Sequence, residues 1–251
     1  MKILITNDDS IDAPGLAALY DIACGLTDAD NIHTVAPAYE QSGVGHAITY
    51  TAPVTLEKRD NHRWALSGTP ADCVIVGIFE GAHKPDLVLS GVNRGNNAGQ
   101  NTFYSGTVGA TLEAALQGIP AIALSQFYGP RLDNQDTFSA ARQHGLQTIQ
   151  TILDRDLWLN GTTRIHYNVN FPPCIGAEVK GTQFTTQGFR SGAPFATAHI
   201  AGQLFVKGKP QQQEDTGVGT DIHTNMSDQI AITPCTTDLT DQTILQRLRL
   251  P

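Results

Sequence analysis

The chain reads as an α/β protein: a Rossmann-like three-layer core with a mostly parallel sheet, followed by a β-hairpin elaboration toward its C-terminus. Three observations predict this. Short apolar, β-branched runs of the kind that fill buried parallel strands alternate with longer segments of helical period. The alternation implies right-handed crossovers with helices on both faces of the sheet. Past about residue 173 it stops, and Gly, Thr, Gln and Phe dominate residues 175–215. The expected organisation is therefore a core over 1–173 and a hairpin-rich region over 174–251, the latter packing on the core or mediating oligomerisation.

Residues 2–6 form the first strand, which ends at Asn7-Asp8-Asp9. Asp12-Ala13-Pro14 starts a helix with proline near its first position. Leu16, Leu19, Tyr20, Ala23 and Leu26 line one face of it. A strand near Ile32–Ala36 stops at Pro37. His46–Lys58 and Arg63–Leu66 read as two strands joined by the polar turn Asp60-Asn61-His62. Thr69-Pro70-Ala71-Asp72 has the form of a capping box, and Val74–Phe79 continues that helix. Asp86–Ser90 is a buried-type strand running into a Gly/Asn loop, Gly91–Asn101. Ser105-Gly106-Thr107 opens a helix with Val108, Leu112, Ala115 and Leu116 facing inward, and Gly118 stops it. Ala121–Ser125 is a strand, 137–153 an amphipathic helix and Ile165–Phe171 a strand. In the last region Gln203–Val206 alternates like a hairpin strand, and an isolated hairpin needs something to pack on. A closing strand at Gln229–Thr233 and a short helix near Thr240–Leu248 complete the chain.

The 251 residues suffice for one large domain, or for a core with an elaboration. A net charge of −8 disfavours long nucleic acids, which are bound through Lys and Arg. It leaves small phosphorylated ligands open, because a metal and backbone N–H groups bind phosphate without net positive charge. Cys24, Cys73, Cys174 and Cys235 are scattered without a CxxC pair, the pattern of reduced thiols in a cytoplasm. Asp8 and Asp9 interrupt the apolar start before it resembles a signal peptide, and no apolar run approaches the ~20 residues that cross a bilayer. A cytoplasmic protein without membrane attachment is expected.

Ligands of open α/β sheets bind outside the carboxyl ends of the strands, which is where Asp8 and Asp9 lie. Two adjacent carboxylates repel and are buried only with a compensating cation. Three loops, 7–10, 36–45 and 91–101, should meet at that edge with the oxygen-bearing side chains of Asp8, Asp9, Ser42, Asn93, Asn96 and Asn97. Such oxygens suit Mg²⁺, Mn²⁺ or Ca²⁺. Taken singly, each is also an ordinary turn or cap residue. Ser105-Gly106-Thr107 is both a helix cap and a plausible anion site, since exposed N–H groups and the helix dipole favour phosphate. His46 is placed either to open its strand or to act as an acid, base or phosphate donor, and His223 beside Asp221 has no assigned place. GxxxxGK[ST], an early GxGxxG and GxSxG are all absent, which disfavours ATPase, dinucleotide-binding and nucleophile-elbow readings.

Taken together, five ordered motifs resemble the survival protein E (SurE) nucleotidase family. They are Ile5-Thr6-Asn7-Asp8-Asp9, Val35-Ala36-Pro37 with Gln41-Ser42-Gly43, Gly68-Thr69-Pro70-Ala71-Asp72-Cys73, Ser90-Gly91-Val92-Asn93-Arg94-Gly95 with Asn97, and Tyr104-Ser105-Gly106-Thr107-Val108. The match covers roughly residues 1–125 and resumes at Asn168–Pro172 and Ile230–Pro234. The resemblance implies a phosphomonoesterase acting on nucleoside 5′- or 3′-monophosphates. It implies one divalent metal per subunit (Mg²⁺ or Mn²⁺, with Ca²⁺ able to occupy the site), held by Asp8, Asp9, Ser42 and Asn93. It further implies that Asp8 and Asp9 are the catalytic residues and that Asn97, Ser105, Gly106 and Thr107 bind the substrate phosphate. A homodimer or homotetramer built through the C-terminal hairpins is expected.

Two positions depart from the family pattern. Ser10 stands where glycine usually follows the aspartates, and Tyr39-Glu40-Gln41 replaces a stretch in which basic residues are common. The alternative function is a non-catalytic, metal-dependent nucleotide-binding protein using the same residues. A signalling receiver domain is disfavoured because no aspartate ends Asp86–Ser90 and no lysine follows Ala121–Ser125.

Overall fold

Ile3–Thr6 form β1, whose side chains are all buried because helices cover both faces of the sheet. The computed structural model describes residues 1–81, 83–192, 195–208 and 215–250. Pro14–Cys24 form α1, with proline in its first turn, and Ile32–Pro37 form β2. Leu56–Lys58 (β3) and Arg63–Leu66 (β4) make an antiparallel edge pair. In Pro70–Phe79 (α2) the capping box is present in full: Thr69 Oγ1 accepts from the Asp72 N–H, and Asp72 accepts from the Thr69 N–H at 2.8 Å. Leu87–Arg94 (β5), Gly106–Leu116 (α3), Ala121–Gln126 (β6) and Ser139–Leu153 (α4) follow. Leu159–Asn160 (β7) and Thr163–Phe171 (β8) come next.

Beyond residue 173 lie Thr182–Phe184 (β9), Phe195–Ile200 (β10), Gln203–Gly208 (β11), Asp221–Met226 (α5), Ile230–Thr236 (β12) and Gln242–Leu248 (α6). Within the stretch expected as hairpins, 193–194 and 209–214 lie outside the described residues. β10 and β11 form the expected antiparallel hairpin, which pairs with no other strand among the described residues. β9 and β12 instead extend the core sheet, β12 antiparallel to β8 and β9 parallel to β12.

The main sheet runs β3-β4-β2-β1-β5-β6-β8-β12-β9, with β7 beside β8. The pairs β4–β2, β2–β1, β1–β5, β5–β6 and β6–β8 are all parallel. From β1 the chain passes to β2 on one side and later returns to β5 on the other. That makes the carboxyl ends of β1 and β5 a topological switch point, where such sheets open a crevice.

Alternate residues of the strands feed two cores. Ile3, Ile5, Leu87, Leu89, Ile122 and Leu124 pack with α1 and α4, while Leu4, Val88 and Ala121 pack with α2 and α3. At roughly 1.5–3 kcal/mol per fully buried aliphatic side chain, these two layers supply the main driving force for folding.

The structure corrects two local expectations. Residues 46–55 are not a strand: Pro53 cannot donate to a ladder, and side chains of α2 and its cap satisfy this backbone instead. Thr69 Oγ1 donates to the Ala47 carbonyl at 2.6 Å, and Asp72 Oδ1 accepts from the Thr49 N–H at 2.9 Å. Leu116 is exposed and Leu112 only half-buried. Val108 and Ala115 are buried as expected, together with Thr107, Ala110, Thr111 and Ala114, and Ala110 and Ala114 pack in one core with Cys73 and Val74 of α2.

Candidate active site

The turn after β1 carries the two carboxylates. Asn7 Nδ2 donates to the Ser10 carbonyl at 2.8 Å, closing the turn, and Ser10 adopts φ +102°. The glycine-type backbone is thus kept at this position although the side chain is serine. The Gln41 N–H donates to the Asp8 carbonyl at 2.7 Å, which joins the second loop to the first.

Asp8 is buried beneath the start of α3. Thr107 Oγ1 donates to Asp8 Oδ1 at 2.5 Å, and the Thr107 N–H also points to this carboxylate. A Cβ on Gly106 would lie 2.9 Å from the Asp8 Cβ, so only glycine allows this approach. Burial raises the Asp8 carboxyl to about 6, and the neighbouring charge of Asp9 adds to the rise. Asp9 is half-buried and accepts from the Arg94 N–H at 3.3 Å. Its carboxyl is also raised by burial, with Glu40 adding repulsion. Neither carboxylate joins an ion pair among the described residues.

Asp8 and Asp9 face a cleft of about 540 Å³ that also takes in Ser42, Asn93, Asn97 and Ser105, a size normal for small-molecule sites (~300–1,000 Å³). Six of the eight site residues implied by the resemblance therefore share one cavity, and Asn96 lines it with them. Gly106 and Thr107 lie behind it, with Thr107 fully buried against Asp8. Ser42 Oγ donates to Glu40 Oε1 at 2.7 Å, which leaves the oxygen lone pairs to act as acceptors. Asn93 Nδ2 donates to the Gly95 carbonyl at 3.0 Å, leaving its Oδ1 free to accept. Asn97 is fixed on three sides: its Nδ2 donates to Ser125 Oγ, its N–H to Asn170 Oδ1, and its carbonyl accepts from Asn168 Nδ2, each at 2.8 Å.

Two carboxylates and neutral hydroxyl and amide oxygens, without a compensating ion pair, fit a hard divalent cation. Among the described residues no three His, Cys, Asp or Glu side chains converge as a metal-holding group. A cation here would thus rest on two carboxylates completed by Ser42 and Asn93.

His46 stands outside the cleft. Its Nε2 lies 2.8 Å from Glu113 Oε2, and this hydrogen bond holds the Glu113 carboxyl below its usual range. With the Gly45 N–H donating to the Tyr104 carbonyl at 3.0 Å, it fastens the Ser42 loop to α3. His223 pairs with Asp215 at 2.9 Å at the surface.

Sequence reasoning missed the contribution of the C-terminal region. Buried Asp221 accepts from the N–H groups of Gly99, Gly188 and Ile222 at 2.7–2.8 Å. Gln100 exchanges two hydrogen bonds with the Arg190 backbone, at 2.7 and 3.0 Å. These contacts brace the 95–104 loop, which supplies Asn96, Asn97 and Asn101 to the cleft. Arg94, Glu40, Tyr104 and Phe195 also line it. The only sequence signal for Asp221 was the Thr220-Asp221 pair at the start of α5, where Thr220 caps by accepting from the His223 N–H.

Comparison with known proteins accords with this geometry. Residues 3–193 match the family model described as survival protein SurE. The 5′-nucleotidase SurE of Roseobacter denitrificans is 50% identical over 249 residues, covering 96% of this chain and 95% of the relative. That of Ruegeria pomeroyi is 49% identical over 258 residues, covering 99% of each. The crystal structure of the SurE protein from Aquifex aeolicus aligns with a TM-score of 0.82 at 30% identity, over 99% of this chain and 98% of that one. Since the family match takes in every cleft residue from Asp8 to Ser105 and these relatives align end to end, the chain belongs to the SurE family.

Proposed function

We propose that this chain is a metal-dependent phosphomonoesterase that hydrolyses nucleoside 5′- or 3′-monophosphates to nucleoside and inorganic phosphate. Family relatives named 5′-nucleotidase supply the substrate class. The observation that carries it for this chain is the uncompensated Asp8–Asp9 pair sharing a switch-point cleft with Ser42 and Asn93.

Asp8, Asp9, Ser42 and Asn93 would hold one divalent cation, Mg²⁺ or Mn²⁺, with Ca²⁺ able to occupy the same oxygens. Bound there, the cation supplies positive charge to the phosphoryl oxygens and lowers the pKa of water. Thr107 orients Asp8 from behind. Asp9, the more exposed of the two, accepts a proton from the attacking water. The Asn97 amide, the Ser105 hydroxyl and the Gly106 N–H would stabilise charge on the phosphoryl oxygens as the P–O ester bond breaks. The leaving nucleoside oxygen takes a proton from solvent.

The exposed hairpin β10–β11, with Leu204 and Val206 open to solvent, supports a homodimer or homotetramer. Four free thiols support a reducing compartment such as the cytoplasm. No described helix is long and apolar enough to cross a membrane.

Phosphate release from AMP, GMP, CMP and 3′-AMP with Mn²⁺ or Mg²⁺ tests the reading. Turnover that EDTA abolishes is expected. Tight nucleotide binding with no phosphate release would instead favour the non-catalytic alternative.

A further inference from the structure

We infer that Tyr104 and Phe195 form the wall against which the nucleobase of the substrate stacks, an inference that rests on the nucleotidase reading above. The cleft is lined chiefly by short polar side chains of Asp, Glu, Ser and Asn, which suit a phosphate and its cation but offer nothing to an apolar ring. Tyr104 and Phe195 are its aromatic members. Their ring centroids lie 4.8 Å apart with planes at 81°, an edge-to-face pair. Each still exposes about 40% of its surface, 40% for Tyr104 and 42% for Phe195. Exposed rings in an otherwise polar cleft are unsatisfied apolar surface, and a planar heteroaromatic base covers it.

The placement suits one nucleotide. Tyr104 immediately precedes Ser105, which caps α3 beside the carboxylates, and its carbonyl accepts the Gly45 N–H at 3.0 Å. Its ring is therefore held one residue from the phosphate end of the cleft. Phe195 arrives from the other half of the chain as the first residue of β10, opposite Gly208 of β11, and closes the wall. Two cleft amides are partly engaged by the protein itself: Asn101 Nδ2 donates to Asn96 Oδ1 at 3.1 Å, and Asn101 Oδ1 accepts from Arg190 Nη1 at 3.4 Å. The base is thus bound by stacked area rather than by reading its hydrogen-bonding edge. Stacking tolerates any base and favours the larger purine ring over the pyrimidine.

Steady-state kinetics of Tyr104→Ala, Phe195→Ala and Tyr104→Phe on AMP, CMP and ribose 5-phosphate test this. Ribose 5-phosphate presents the same ester without a base. In each alanine variant the AMP-to-ribose 5-phosphate ratio of kcat/KM should fall about tenfold, mainly through KM for AMP, and the AMP-to-CMP preference should narrow. Tyr104→Phe should keep both ratios, because the ring and not the hydroxyl does the binding. An alanine variant whose ratios match wild type, or that loses AMP and ribose 5-phosphate turnover equally, overturns the stacking wall while leaving the nucleotidase reading intact. A wild type that hydrolyses none of the three overturns both.

Discussion

Ser10 and Thr107 show how much of this site depends on single residues that do not line the cleft. Ser10 holds φ +102°, where side-chain-bearing residues are strained, yet its carbonyl is the acceptor that closes the turn of Asp8 and Asp9. Ser10→Gly should relieve that strain and stabilise the fold by about 1 kcal/mol, raising Tm by roughly 2–4 °C in thermal denaturation. Thr107 spends both its hydroxyl and its N–H on Asp8. Thr107→Val keeps the shape and removes the hydroxyl donor, so affinity for Mn²⁺, read by titration calorimetry, should fall about 10- to 100-fold. The departure at Glu40 also has a local consequence. Glu40 accepts the Ser42 proton and raises the Asp9 carboxyl, so this cleft is more acidic than one with a basic residue there.

At the scale of elements, the site is a meeting of loops braced from a distance. The loop 95–104 is pinned by Asp221, which collects three N–H groups, and by the Gln100–Arg190 exchange. Asp221→Asn turns one acceptor oxygen into an amine facing those donors. The variant should lose about 2–3 kcal/mol of stability, and its kcat/KM for AMP should drop at least tenfold at temperatures where circular dichroism shows it folded. An undiminished kcat/KM would show that the loop does not need this brace.

The same contrast explains what was legible in the sequence. The capping box of α2 spans three residues, Thr69 to Asp72, and could be read locally. The partners of Asp221 lie 122 and 33 positions away, and no local pattern records such pairings. Residues 46–55 alternate like a strand, but Ala47 and Thr49 bond to Thr69 and Asp72, and Thr55 to Ser67, pairings again invisible to periodicity. Leu116, the last residue of α3, is exposed, because at a helix end the helical period no longer settles which side the chain turns to.

For the whole molecule, the alternation of strand and helix foretold the sheet, and the position of Asp8-Asp9 after the first strand foretold the crevice. What alternation left out was that β9 and β12 return to extend that sheet. Because β12 pairs along β8, the C-terminal region shares one sheet with the strands that carry the cleft loops. That sheet carries a titratable group. His166 on β8 is buried with its Nδ1 2.9 Å from Thr111 Oγ1, and burial lowers it to about 4, helped by the charge of His46. The unfolded chain binds the extra proton between about 6.5 and about 4, so stability falls as the pH drops through that window and levels off below it. The contribution lost is about 3 kcal/mol. Urea unfolding of wild type and His166→Gln between pH 7 and 4 should show that difference in slope. Parallel curves would contradict it.

The most direct measurement for the molecule as a whole is Mn²⁺ binding by isothermal titration calorimetry to wild type, Asp8→Asn and Asp9→Asn. One site per chain in the wild type, with affinity reduced at least 100-fold in Asp8→Asn and clearly weakened in Asp9→Asn, is the predicted result. Two variants that bind Mn²⁺ as tightly as the wild type would contradict the assignment of these carboxylates and the mechanism built on them.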